Sequence, residues 1–319
     1  MRKRLRIMLC YGLVPLVAMA IVSLVWLIID SSMPLEDYFK ARHADLENVR
    51  GDAIIDGNGQ LSRLATATST SGLSVLFRLI RPAEPTTQLP VMIILGGHRT
   101  GSDAVELFGN VGDRAVVAID YPYEDAEKVH GWRRIIATVP LARKAFRDTP
   151  PAVSLILDWL EQQPWADQDQ LVLVGASLGV PFAALVSARD PRIDVTMLVH
   201  GAADNRAWLE IQVARRNEVR LLHGPAAALL HWLAYGPTFN TAANVARIAP
   251  RPVIVIGARE DERTPAGETE ALFRAAGEPK ILRWTEGMHI QPNRPEIIRQ
   301  LLTIAEEELP LSALSLIHI

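Results

Sequence analysis

Apolar residues along this chain fall into one long block followed by a series of short ones. From Ile7 to Ile29 no residue is charged, and the stretch holds Leu9, Val14, Leu16, Val17, Ile21, Val22, Leu24, Val25, Trp26, Leu27 and Ile28. As a helix this run would extend about 34 Å, enough to cross a hydrocarbon core of about 30 Å. Pro15 bends such a helix without having to end it. Downstream, six short runs recur: Val91 to Leu95, Ala115 to Ile119, Leu171 to Val174, Val195 to Val199, Val253 to Ile256 and Ile281 to Trp284. Continuous apolar strands spaced for intervening helices predict a parallel sheet covered on both faces, hence an α/β body.

The segments between them complete the plan. Residues 30–50 are polar and read as a linker between a membrane anchor at 1–29 and a catalytic body at 51–309, with 310–319 a C-terminal extension. Asp56-Gly57-Asn58-Gly59, between Ala53-Ile54-Ile55 and Leu61 to Leu64, is a turn signal that predicts an opening hairpin. Pro140 to Gln163 reads as a helix interrupted near Pro150-Pro151. The interval 201–247 is long for one crossover and carries two helical stretches, Ala207 to Val219 and Ala226 to Ala234. A small helical cap accounts for it, as does an ordinary crossover with one extra helix.

Charge orients the chain. Arg2, Lys3, Arg4 and Arg6 precede the apolar block and Asp30, Glu36 and Asp37 follow it, so the positive-inside rule places the body on the periplasmic or extracellular side. The alternative is a cleaved signal peptide and a secreted body. The run is longer than the usual signal-peptide core of about 7–15 residues, and no small-x-small site follows Trp26 to Ser32. Cys10, the single cysteine, lies in this block, so the body has no thiol for disulfides or thiolate chemistry. The 33 basic and 36 acidic residues are mixed along the chain for a net charge of −3, which argues against nucleic acid as a partner. Oligomeric state is open.

Gly175-Ala176-Ser177-Leu178-Gly179 follows the Leu171–Val174 run directly and precedes a helical stretch. That strand, sharp turn and helix is the setting in which a serine hydroxyl is exposed as a nucleophile. A serine needs a histidine to take its proton and a carboxylate to hold that histidine. His289, after the Ile281–Trp284 run, supplies the first. Asp261, with Pro265 opening a helix four residues on, is the favoured acid, and Glu260 and Asp204 are its rivals. Backbone donors for a developing oxyanion are expected from Leu178 and from His98 in the turn Gly96-Gly97-His98-Arg99-Thr100-Gly101. No G-x-x-x-x-G-K-[ST] loop or G-x-G-x-x-G fingerprint accompanies that turn, so nucleotide binding is not indicated.

In the ordered set Gly96-Gly97-His98, Gly175 to Gly179, Asp261 with Pro265, and His289, the chain resembles the α/β-hydrolase superfamily from about Asp52 to Glu308, with an esterase-like character. The resemblance implies the α/β-hydrolase fold, an eight-stranded mostly parallel sheet with helices on both faces. It makes Ser177 the nucleophile, Asp261 the acid, His289 the general base, and His98 and Leu178 the oxyanion donors. Many members carry His-Gly where this chain has Gly96-Gly97, so the ring that often braces that loop is missing. The implied activity is hydrolysis of short-acyl or small carboxylic esters, without metal or cofactor. A peptidase or acyltransferase using the same serine, and a non-catalytic binding member of the fold, are the competing classes. Trp208, Trp232 and Tyr235 are candidate substrate contacts.

Overall fold

A computed structural model of the chain describes residues 14–97, 100–123 and 132–309, the side chains of 132–136 excepted. The four basic N-terminal residues, Cys10, His98 and the extension 310–319 lie outside the described residues. The described residues form one sheet of nine strands: β1 (Leu46–Ile55), β2 (Gln60–Ser69), β3 (Ser74–Pro82), β4 (Leu89–Leu95), β5 (Ala115–Ile119), β6 (Ala166–Ala176), β7 (Val195–Val199), β8 (Val253–Ala258) and β9 (Lys280–Thr285). Their order is β1-β2-β3-β5-β4-β6-β7-β8-β9. β1 to β3 form an antiparallel meander joined antiparallel to β5, and every later pairing is parallel.

The count is one strand more than expected, and the hairpin starts earlier. Among the described residues nine helices accompany the sheet: α1 (Val14–Ser32), α2 (Glu36–His43), α3 (Trp132–Glu161), α4 (Gly179–Arg189), α5 (Asn205–Ala214), α6 (His223–Leu233), α7 (Thr241–Val245), α8 (Ala266–Ala275) and α9 (Pro295–Glu308). The stretch 30–50, polar by composition, therefore holds α2 and half of β1 instead of a free linker. Two apolar residues explain this, since Leu35 and Phe39 are buried in the main core. Arg42 grips Asp148 on α3 with two hydrogen bonds of 3.0 Å, and the Tyr38 hydroxyl donates to the same carboxylate at 2.6 Å. α3 also runs unbroken through Pro150-Pro151, contrary to the expected interruption. Ala152, Val153, Leu155, Ile156 and Leu157 beyond the prolines are fully buried, and that packing outweighs the lost amide donors.

The two faces of the sheet are covered unequally. On one, α3, α4, α7 and α8 supply a deep apolar layer that includes Phe182, Phe239 and Tyr235. On the other, among the described residues, the helical cover over Met92, Ile94, Val174, Met197 and Val199 comes from α9 and the short 3₁₀ turn Ser102–Phe108 of the β4–β5 crossover, with Val111 and Ile290 from loops. A seven-residue 3₁₀ turn covers far less sheet than a full helix, so space remains on this face beside the ends of β4, β6 and β7.

α1 is long and apolar enough to cross a membrane, and from Val14 to Trp26 its side chains are exposed. Its last turn is different. Ser31 is fully buried and its hydroxyl donates to the Trp232 carbonyl on α6 at 2.5 Å, while Arg143 of α3 pairs with Asp30 at 2.5 Å. Arg143 also donates to the carbonyls of Trp232 and Leu233 at 3.1 and 2.9 Å and lies 4.1 Å over the Tyr235 ring. α5 and α6, from the 201–247 interval, pack on each other and roof the sheet's C-terminal edge beside Ser177.

The fit is close where β6 turns into α4. A Cβ on Gly175 would lie 2.6 Å from that of Ala183, and one on Gly179 would overlap the Leu95 backbone carbonyl. Neither partner is the far end of a flexible side chain, so glycine is required for the helix to lie this close to the sheet. Gly179→Ala should lower the unfolding free energy by about 1–3 kcal/mol in urea titration. Gly267→Ala, where an added Cβ on α8 meets nothing within 4 Å, should be neutral or slightly stabilising.

Candidate active site

Ser177 follows the C-terminal end of β6 with φ of 53°, a left-handed conformation that L-residues adopt at a cost of about 1–2 kcal/mol. Its N–H donates to the Val199 carbonyl at 2.9 Å and its carbonyl accepts from Val180 at 3.1 Å, which fixes the turn from both sides. His289 Nε2 lies 2.7 Å from Ser177 Oγ. Its Nδ1 lies 2.8 and 3.0 Å from the two oxygens of Asp261. The order Ser177, His289, Asp261 is thus one continuous hydrogen-bonded row. With Nδ1–H donating to the carboxylate, Nε2 keeps a lone pair toward the serine hydroxyl.

Asp261 is set by its own loop. Oδ1 accepts from the backbone N–H groups of Arg263 and Thr264, both at 2.7 Å, so the loop before α8 curls around the carboxylate. The rivals lie elsewhere: Glu260 is exposed, and Asp204 caps α5 by accepting from the N–H groups of Arg206 and Ala207.

Three supporting residues were not singled out in the sequence. His200, at the end of β7, is fully buried with φ of 52°. Its Nδ1 accepts from the Ile290 N–H at 2.8 Å, so its Nε2 carries the hydrogen toward Thr285 Oγ1 at 3.1 Å. The ring therefore pins the residue next to His289. Burial lowers its pKa from 6.5 to about 4, with the neighbouring His289 adding to the effect and Asp261 and Glu262 opposing it. Glu262 accepts from the His289 backbone N–H at 2.9 Å, and Arg294 bonds both Glu262 (3.1 Å) and the His289 carbonyl (2.5 Å). Burial acts to raise the Glu262 pKa, but these hydrogen bonds outweigh it and hold the carboxyl below its usual range. A lone histidine after a strand, or the third of three adjacent acids, carries no sequence pattern that assigns such roles.

The loop after β4 is braced from β5. The Tyr121 hydroxyl donates to the Gly96 carbonyl at 2.6 Å, and Asp120 accepts from the Ser102 N–H at 2.6 Å. Burial raises the Tyr121 pKa, which keeps the hydroxyl a donor. Gly97 lies against Ser177, where an added Cβ would be 3.6 Å from the serine Cβ. Leu178 is the N-cap of α4, at the end of the helix whose orphan amides favour an anion, although the Val180 N–H is already taken by the Ser177 carbonyl.

Two cavities meet at Ser177. The larger, about 310 Å³, lies on the thinly covered sheet face and is lined by Met92, Ile94, Met197, Val199 and the inner side of α9. The smaller, about 80 Å³, lies under α5 and α6 and is lined by Leu178, Phe146, Trp208, Leu209 and Phe239. Trp208 is thus brought to the site. Trp232 and Tyr235 are placed away from both cavities, at the junction of α6 with α1 and α3.

His200, Asp261 and His289 offer ligand atoms within 4.8 Å of one another. Both nitrogens of His200 and of His289 are already hydrogen-bonded, as is each Asp261 oxygen, so a metal ion would have to break the Ser177–His289–Asp261 row. The donor set fits proton transfer and not metal ligation.

No family model and no curated protein matches the chain. Solved structures do. It is similar to an acetyl xylan esterase from a Paenibacillus species, at 15% identity and a TM-score of 0.62 over 88% of this chain and 98% of that one. It is also similar to acetyl xylan esterase 1 from a Thermoanaerobacterium species, at 16% identity and a TM-score of 0.61 over 86% and 92%. A third is the α/β hydrolase GrgF from a Penicillium species, at 15% identity and a TM-score of 0.53 over 84% and 98%. The chain has the α/β-hydrolase fold.

His200 makes acid sensitivity measurable. The folded ring takes up a proton only near pH 4, whereas the unfolded one does so near 6.5, so this group's contribution to stability is lost as pH falls between those values. From pH 7 to pH 4.5 the wild type should lose about 2–3 kcal/mol more of unfolding free energy than His200→Asn, read from urea titrations at both pH values. Equal losses would mean that the ring is not held neutral.

Proposed function

We propose that this protein is a serine hydrolase that cleaves carboxylic esters through an acyl-enzyme. The single observation that carries the reading is the Ser177–His289–Asp261 row, with Ser177 at the junction of two cavities. Ser177 Oγ attacks the ester carbonyl carbon as His289 Nε2 takes its proton. Asp261 holds Nδ1–H and balances the imidazolium charge. The carbonyl oxygen becomes an oxyanion that accepts from the Leu178 N–H and, in this reading, from that of His98. His289 then returns the proton to the leaving alcohol. Water repeats the sequence on the acyl-enzyme and releases the acid. The esterase names of two proteins that share the fold favour ester over amide cleavage.

The proposed setting is a membrane. α1 acts as an uncleaved anchor and the body lies outside the cytoplasm, supported by the exposed apolar length of α1 and by the basic residues that precede it in sequence. Protease treatment of spheroplasts should degrade the body while the chain fractionates with membranes. A freely soluble secreted body would instead indicate cleavage.

Ser177→Ala and His289→Ala should each lower kcat/KM for an aryl acetate by about 10⁶-fold, and Asp261→Asn by about 10⁴-fold, with non-additive double variants and near-native thermal midpoints. Glu260→Gln serves as the control for the adjacent acid. Normal turnover by folded Ser177→Ala would end the serine-hydrolase reading; inactivation by Glu260→Gln but not Asp261→Asn would move the acid by one residue.

A further inference from the structure

The two cavities at Ser177 differ in size, in lining and in which part of the reaction they serve. Taking about 30 Å³ for each water-sized group, 310 Å³ holds about ten such groups and 80 Å³ about three. The side on which each half of an ester lies follows from proton traffic. His289 must hand its proton to the leaving oxygen, so the alcohol departs on the His289 side. Ile290, Gln291 and Pro292, the residues directly after His289, line the larger cavity. Leu178 lines the smaller one. Resting on the ester-hydrolase reading, we propose that the substrate is a short-acyl ester of a long hydrocarbon alcohol, with the acyl group under Trp208 and Leu209 and the alcohol chain between the sheet face and α9.

The lining decides the chemistry of the alcohol. Met92, Ile94, Met197 and Val199 on the sheet face Ile298 and Leu302 on α9, and these side chains offer a hydroxyl nothing stronger than the weakly accepting thioether sulfurs of Met92 and Met197. A sugar alcohol entering there would bury several hydroxyl groups without partners, at a cost of about 1–3 kcal/mol each. A hydrocarbon chain gains with every methylene buried. The larger cavity therefore rejects the carbohydrate alcohol named for the acetyl xylan esterases and selects an apolar one. Besides Ser177 its polar members are Thr100, Arg216, Arg263 and Gln291, all exposed or half-exposed, and the walls between the sheet and α9 are apolar. An alcohol of this kind partitions into membranes, where α1 would hold the enzyme.

Two crossed ester series on the full chain in a non-ionic detergent test the assignment. In acetates of straight-chain alcohols from ethyl to dodecyl, kcat/KM should rise up to about decyl by at least a hundredfold in total, with at most about fourfold per methylene. In ethyl esters of straight-chain acids it should fall beyond butyrate. A rise with acyl length and a flat response to alcohol length would overturn the proposal, as would no length dependence in either series. Leu302→Trp and Ala305→Phe narrow the larger cavity and should lower the decyl-to-ethyl acetate ratio at least tenfold. Leu302 is half-buried and keeps the test valid should Ala305→Phe fail to fold. Trp208→Ala should instead extend the acyl range. If the wild type cleaves no ester in either series, the hydrolase reading fails, and calorimetric binding of 1-decanol decides the cavity separately. Binding that weakens at least tenfold in Leu302→Trp supports the alcohol site, and no binding to the wild type overturns it.

Discussion

Ser177 is held in a left-handed backbone conformation, and much of the surrounding structure exists to keep it there. The strain is about 1–2 kcal/mol, small against the packing that imposes it. β6 delivers the chain from the centre of the sheet, and α4 must leave at once, close against β4 and β6. Gly175 and Gly179 permit that approach, and the Ser177 N–H bond to Val199 ties the turn to the neighbouring strand. The outcome is a side chain lifted clear of the sheet edge, with open space on either side and the first amides of a helix beneath it. A serine in ordinary extended or helical backbone at the same point would lie along the sheet and meet neither cavity.

The second requirement is that His289 arrive in register with that serine, and this depends on groups the sequence does not advertise. Ser177, Asp261 and His289, which the fold brings into one hydrogen-bonded row, could be picked out because each follows an apolar run in the order strand, loop, helix. The scaffold that aims them could not. His200, Glu262 and Arg294 are drawn from different parts of the chain and hold residues 289 and 290 by their backbone groups. Tyr121 braces the loop after β4 from a distance of twenty-five residues. Contacts of this kind have no spacing rule, since they are set by the sheet order and not by local periodicity. The same reason separates the aromatic residues of the 201–247 interval. Trp208 and Trp232 lie on helices and Tyr235 in the turn after α6, and the packing of α5 on α6 places the first beside Ser177 and leaves the others at the α1 junction.

Where the fold departs from the sequence reading, burial of a few residues outweighed average composition. Residues 30–50 are polar overall, but Leu35 and Phe39 suffice to dock α2, and Asp148 gathers Tyr38 and Arg42 around one carboxylate. Pro150-Pro151 is a strong local stop signal, but the fully buried residues after it commit the helix to the core on both sides. By contrast the parallel strands were easy to place, because a strand buried on both faces has to be apolar throughout.

The junction of α1 with the body limits how the protein can sit. Asp30 and Ser31 belong to the last turn of the apolar helix, yet one pairs with Arg143 and the other is buried against the Trp232 carbonyl. Leu35, only four residues after Ser31, is already in the main core. There is consequently no flexible spacer between α1 and the body: three residues separate α1 from α2, and both helices are fastened to α3 through charged hydrogen bonds. A helix so attached cannot tilt independently of α6, and α6 forms part of the roof over the smaller cavity. If α1 spans a bilayer, the body must lie with α6 near the membrane surface. The exposed Leu229 and Leu230, one turn before the residues that hold Ser31 and Arg143, then stand where an apolar surface is favoured and not where water would penalise it.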